Sequence, residues 1–565
     1  NFNSSADDIN VVFDGSSDQT ITVDNSSLFT NLTIGNSNSE VLPTTDITIT
    51  DNLTINSGAA LNIGTNNADL EIQGNYTNNG TFTSSGETIT FSGSRVQTVG
   101  AISGNDAVMQ VIKSGGSLTT TGNLSLDELR VTAGTMIIDG ETVNIDDQLI
   151  VSGGTLQVTS GTLSSTKDDS GYSTISGGTI DVDGGTVNFG ESTDVYSDLL
   201  ISSGTLDVSG GTVNITDELH VSNGSITITG GTINVGTTTG GSGSSSDRFE
   251  MDAGTLNLTA GTINIMGQYS SSSYDALDLA GSVIVNTNSN NTLNITDGAG
   301  SSDENMYIRL GGHTIDNITT SNTNYTVYAR DAINAATLNV SDGTLELQAN
   351  STVSSTINID GILAVGSTTF IASGSTDIDG ILTVSTGVYD ANSSFDATNG
   401  AIDFTGAGTL KLSGSLTSLG TLDENNGTVE YDGFGQSVLA DNYYNLVLGG
   451  TGTATAVGNI VCSGAFTLQN TLDKYSLSTN THQTLGVTDI NDKIEISTGI
   501  YDADGPFDAT NGIIYFTGTG TLKLAGTVTS LGTLVENIGT VEYDGAGPQT
   551  VLSDNYYNLE MDGDG

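Results

Sequence analysis

The chain has no tryptophan, one cysteine, three prolines and three histidines, and only 11 lysines plus arginines against 65 aspartates plus glutamates. Each shortage removes a class of explanation. A lone thiol, Cys462, cannot close an internal disulfide, so the fold must be held by its core. A formal net charge of −54 leaves no basic patch to neutralise phosphate, which excludes nucleic acid and anionic membrane surfaces as partners. No apolar run approaches the ~18 residues of a spanning helix, so no membrane insertion is expected of this segment. Catalysis also lacks its usual material. His220, His313 and His482 lie far apart, and no carboxylate pair stands out, so we expect no enzyme. Cys462 sits beside Val461 in a strand-like stretch and reads as core. No secretory leader is visible, and the chain starts at Asn1 and stops at Gly565 in mid-repeat, so it reads as a slice of a longer protein.

What is present is repetition. Glycine supplies 74 of 565 residues, and Val, Ile and Leu recur at regular spacing. From Gly134 onward, units beginning Gly-Thr-aliphatic come in pairs seven residues apart: Gly154 with Gly161, Gly178 with Gly185, Gly204 with Gly211. Within a unit the aliphatics alternate, as in Leu206 and Val208 or Val213 and Ile215, and period two means a strand with one buried face. A further strand precedes each pair (Leu149 and Val151, Leu199 and Ile201, Leu219 and Val221), while near Ser173 a serine takes the first inward site. The expected fold is all-β: a parallel β-solenoid, or β-helix, with three short strands per rung of 20–30 residues. Glycine suits the corners because it accepts positive φ, and the Gly/Ser-rich stretch Gly236 to Asp247 reads as a loop. About 25 rungs at the ~4.8 Å strand spacing would make a rod on the order of 120 Å long.

A longer period overlies the first. Ser385 to Gly435 matches Ser497 to Gly547 at an offset of 112, with 38 of 51 positions identical. The expected organisation is therefore 1–125, N-terminal solenoid or sandwich-like repeats; 126–350, regular rungs; and 351–565, tandem 112-residue units with the second cut short.

Three carboxylate pairs could hold calcium: Asp181 with Asp183, Asp377 with Asp379, and Asp502 with Asp504, each before a turn. Calcium wants six to eight oxygens, and neither an EF-hand nor a nonapeptide calcium repeat is present, so solvated turn acids are preferred and no cofactor is expected. The Thr-x-Thr pairs at Thr20, Thr48 and Thr227 are interrupted and read as β-branched residues on an exposed face. Tyr443-Tyr444-Asn-Leu returns as Tyr556-Tyr557-Asn-Leu; alternation puts one tyrosine of each pair inside and one at the surface, as a possible contact.

Gly427-Thr-Val-Glu-Tyr-Asp-Gly433 and Gly539-Thr-Val-Glu-Tyr-Asp-Gly545, each followed by Gln, Val-Leu and Tyr-Tyr-Asn-Leu, resemble repeats of giant secreted surface proteins of Bacteroidota. That family includes gliding adhesins and the grappling-hook filaments of marine filamentous predators. The middle rungs resemble autotransporter and filamentous-haemagglutinin-like passengers. The resemblance implies export to the surface of a marine Gram-negative cell through the type IX system, and a role in attachment or prey capture. The resemblance transfers no functional residue; lateral association into homo-oligomers is expected because stiffness grows with the number of strands in a bundle, and a cell-surface or carbohydrate ligand is expected with it. The competing expectations are a glycan-binding or tailspike-like solenoid and a calcium-dependent surface-layer protein.

Overall fold

The computed structural model describes residues 10–24, 28–104, 106–166, 172–190, 198–236, 248–266, 275–296 and 305–563. Among them the only helical element is a short 3-10 turn, Gly64–Asn66; the rest of the regular structure is strand. The chain divides into two compact units, Asn1–Asn317 and Ile318–Gly565. Each is a stack of parallel turns, which makes the protein the expected β-solenoid. The residues before 125 are turns of the same kind: Asn10–Phe13 pairs with Asn31–Ile34, which pairs with Leu53–Ile55, which pairs with Tyr76–Asn78.

Alternation decides which side chains enter the core. In the first unit, Leu206 and Val208 stack on Ile180 and Val182 below and on Ile226 and Ile228 above, all fully buried. Val187 and Phe189, Val213 and Ile215, and Ile233 and Val235 form a second column; Leu199 and Ile201, Leu219 and Val221, and Phe249 and Met251 form a third. Truncating one such Leu or Ile to Ala leaves a cavity and costs about 2–5 kcal/mol. The backbone is satisfied by the neighbouring turn, as where the Thr205 amide donates to the Gly178 carbonyl at 2.9 Å. The serine expected at the first inward site, Ser173, is buried and bonded to the equally buried Ser165 at 2.9 Å, so this polar gap in the aliphatic column is closed by a pair.

The repeated glycines have a steric cause. Gly161, Gly185, Gly211, Gly231 and Gly261 all hold positive φ, between 66° and 87°. A Cβ on Gly185, Gly211, Gly231 or Gly261 would lie 2.5–2.7 Å from the carbonyl oxygen of the glycine one turn earlier. Corner after corner, the chain passes too close to itself for any side chain. Length varies elsewhere: the connection from Ile215 to Glu218 is two residues, whereas that from Val235 to Arg248 is twelve. The expected loop of Gly236 to Asp247 falls there, and its residues 237–247 lie outside the described ones.

In the second unit the same rule holds. Leu345 and Leu347, Leu363 and Val365, Leu382 and Val384, and Ile402 and Phe404 stack in register. The 112-residue copies also superpose in register: Tyr389 pairs with Leu410 as Tyr501 pairs with Leu522. Asn425 and Asn537 hold the same left-handed corner, at φ 33° and 35°.

Candidate functional surface

A parallel stack places every outward side chain directly over its counterpart in the next turn, so surface chemistry comes in columns. Asp181 lies within the strand Thr179–Val182, between Gln157 below and Asp207 above. Its carboxyl is pushed up by burial first and then by Asp183 and Asp207. Asp183 follows the strand and accepts from Gln157 Nε2 and Ser209 Oγ, each at 2.7 Å. Asp377 is likewise a strand residue, in register with Asn358 and Asp396, and Asp379 accepts from Asn399 Nδ2 at 3.0 Å. Burial, then Asp379, Asp396 and Asp360, raise the Asp377 carboxyl. Asp502 is pushed up to about 6 by burial, then by Asp504 and Asp544 against the pull of Lys523. The first acid of each pair therefore belongs to a strand, not to a corner. Asp183, Asp379 and Asp504 each already accept a hydrogen bond from a side chain one turn away, Asp504 from Gln483 Nε2 at 2.8 Å. Asp489, the 112-residue counterpart of Asp377, also sits mid-strand, in Thr488–Ile490.

The tyrosine motif divides as alternation requires, with one correction. Tyr443 is fully buried and offers no surface contact. Its hydroxyl donates to the Leu439 carbonyl at 2.9 Å and meets the Tyr431 hydroxyl at 3.0 Å, while the Leu439 amide donates to Tyr431 at 3.2 Å. Tyr556 repeats the bracket, donating to the Leu552 carbonyl at 2.6 Å and lying 3.4 Å from Tyr543, while the Leu552 amide donates to Tyr543 at 3.2 Å. Tyr443 thus clamps the corner between Ser437–Val438 and Asn442–Tyr443, because its ring is core and its hydroxyl must find a partner, whereas Tyr556 makes the same bonds from a half-buried position. Tyr444 is half-buried, and Tyr557 is 59% exposed.

Two clusters arise that sequence order conceals. Glu218, His220 and Glu250 bring possible ligand atoms within 4.8 Å of one another. Arg248 already bridges the two carboxylates, at 2.6 Å to each, and His220 Nε2 bonds Asp252 at 3.0 Å. A cation is therefore supplied by the chain itself, and the cluster is an ionic knot across adjacent turns. In the second unit, Cys462 Sγ lies 3.4 Å from His482 Nε2, and His482 Nδ1 lies 2.9 Å from the Tyr475 hydroxyl. The pairing has the outline of a nucleophile with its base. Both residues are wholly buried, and burial pushes the thiol up and the imidazole down to about 3, so neither ionises and no substrate reaches them.

The most regular surface is uncharged. The third strand of seven successive turns carries an outward threonine column, Thr142, Thr162, Thr186, Thr212, Thr232, Thr262 and Thr292, in register throughout. Two residues on, a second column holds asparagine at every level except Ser164. Its amides bond end to end: Asn294 to Asn264 at 2.8 Å, Asn264 to Asn234 and Asn234 to Asn214 at 2.7 Å, Asn214 to Asn188 at 2.8 Å, and Asn188 to Ser164 at 3.1 Å. Asparagine is a poor strand former, and this ladder accounts for its retention. The signal was present as Gly-Thr-aliphatic-Asn-aliphatic, which a search for Thr-x-Thr pairs passes over.

No family model matches the chain, and neither a curated protein nor a solved structure is similar to it.

Proposed function

We propose that the chain is an extracellular structural or adhesive filament segment that holds a cell to a surface or to prey, and that it catalyses nothing. The observation that carries this reading is that each turn is completed by its neighbours. Backbone, core column and surface column are all completed by the turn above and the turn below, so the structure lengthens by repetition. Three lysines are spent the same way: Lys411 on Glu430 at 2.8 Å, Lys474 on Glu495 at 2.7 Å, Lys523 on Glu542 at 3.0 Å. These pairs run from one turn to the next along ladders. A pocket of about 300 Å³ bordered by Ala525–Val528 and Gly547–Thr550 carries no ionisable side chain. Tension would be resisted by the inter-turn hydrogen bonds acting with the aliphatic columns, and the exposed Tyr557 is the contact offered to a ligand.

The test is attachment. Beads coated with the purified chain are offered bacterial cells and insoluble polysaccharides, and the supernatant is analysed for released sugars. Retention without product is the expected result. Polysaccharide cleavage abolished by changing one aspartate would overturn the reading in favour of a glycan-active solenoid. A melting curve unchanged by chelator is expected as well; a large fall would favour a calcium-dependent surface-layer protein.

A further inference from the structure

In a chain of net charge −54, the paired Thr and Asn columns from Thr142 to Asn294 carry no charged residue at any level. Among the described residues no protein group bonds the threonine hydroxyls, while the asparagines beside them are fixed from Asn294 down to Ser164. Threonine is stiff at χ1, so each hydroxyl and methyl is held where the backbone puts it. The columns therefore form a rigid two-dimensional array of groups that both donate and accept, with a period set by the strands.

The size and chemistry of the array narrow what can sit on it. Seven strands at ~4.8 Å, each about four residues wide, give a footprint of roughly 400 Å². That is about half of the ~800 Å² each partner contributes to a stable protein pair, so a second copy is a poor occupant. A polysaccharide is gripped by aromatic rings against its C–H faces, and the array has no ring. The remaining ligand is neutral, made of hydroxyl donors and acceptors, and periodic in itself. We propose that this face binds ice, by holding over the threonine column a layer of water whose order continues into the crystal. The absence of charge is part of the site, because an ionic side chain would orient water about itself and break the lattice.

The experiment uses the whole chain, fluorescently labelled, at a growing ice front, together with the rate of ice recrystallisation. Wild-type chain is expected to enter the ice and slow recrystallisation. Thr212→Lys/Thr232→Lys, in the middle of the array, is expected to lose both effects, and Thr212→Val/Thr232→Val to lose them in part while keeping the β-branched shape. Thr179→Lys/Thr205→Lys, in the neighbouring strand column, is expected to retain them. Circular-dichroism melting verifies that each variant is folded. Exclusion of the wild type from ice, as for an unrelated acidic protein, overturns the proposal. So does equal incorporation of wild type and folded Thr212→Lys/Thr232→Lys, and so does sedimentation of the wild type as a dimer that this variant alone dissociates.

Discussion

The two copies of the 112-residue unit share a backbone and differ in what they bury. One turn before Tyr389 the inward residues are Phe370 and Ala372; at the same places before Tyr501 they are His482 and Thr484. In the first copy Phe370 stacks on Tyr389 with ring centroids 5.1 Å apart, and the tyrosine needs a single partner, Thr376 at 2.9 Å. In the second, Tyr501 takes Thr484 at 3.1 Å and Thr488 at 3.0 Å, while His482 bonds Tyr475. The surface differs too. Ser413 donates to Asp432 at 2.5 Å in the first copy, whereas its counterpart in the second is Ala525, and the buried Oδ1 of Asp544 has no partner. Asn392 becomes Asp504, which sets a further carboxylate beside Asp502. A solenoid turn thus tolerates a dry or a polar core at the same place in the repeat. The two solutions respond differently to pH.

The largest predicted difference is acid sensitivity. His482 has its pKa lowered to about 3 in the folded chain against an ordinary 6.5. The unfolded state therefore binds the proton first, and stability falls as pH drops below the unfolded value. Between pH 7 and pH 4 the turn around His482 should lose about 3 kcal/mol that the turn around Phe370 keeps. Hydrogen exchange resolved by segment, 481–484 against 369–372, reads this directly. In His482→Phe/Tyr475→Phe, which removes both partners, the difference should vanish.

Next in size is the lysine. Lys523→Met leaves Asp502, Glu542 and Asp544 without their cation and should cost about 1–2 kcal/mol at neutral pH, reduced by high salt because the site is partly solvated. Lys411→Met should cost less, because Asp432 keeps Ser413. Urea unfolding of both variants supplies the comparison. Ala525→Ser, which restores the missing donor to Asp544, should gain about 1 kcal/mol, and Ser413→Ala should lose about as much. Smallest is Asp504→Asn, worth a few tenths of a kcal/mol. Asp502 has its pKa raised to about 6, so its contribution is present at low pH and is lost as pH rises from its ordinary 3.8 through 6. The variant should bring the titration of Asp502 down toward the ordinary carboxylate value, as followed by NMR.

Much of this architecture was legible because alternation and glycine corners are local properties. Leu206, Val208, Val213 and Ile215 announce their strands within ten residues, and Gly185, Gly211 and Gly231 mark the points where the chain touches its own previous turn. What could not be read depends on register between turns of unequal length. Glu218 meets Arg248 thirty residues later because their strands pair in register, and Cys462 meets His482 because a turn of 22 residues sets His482 over Ile460, two places before the thiol. The aspartates failed as turn residues for a related reason. Asp181, Asp377 and Asp502 occupy strand positions that propensity disfavours, and column partners one turn away make those positions acceptable. Tyr443 was legible as to direction but not as to role, since the Leu439 carbonyl it reaches is set by the bend of the corner.

The central claim is that turns completed only by their neighbours form an element that bears tension. Pulling the chain by its two ends in a single-molecule force experiment tests it most directly. The account predicts resistance well above that of an unfolded chain and release in steps of one or a few turns, each lengthening the chain by about 20–30 residues at ~3.4 Å per residue. Extension at low force along the smooth curve of an unstructured polymer would contradict it.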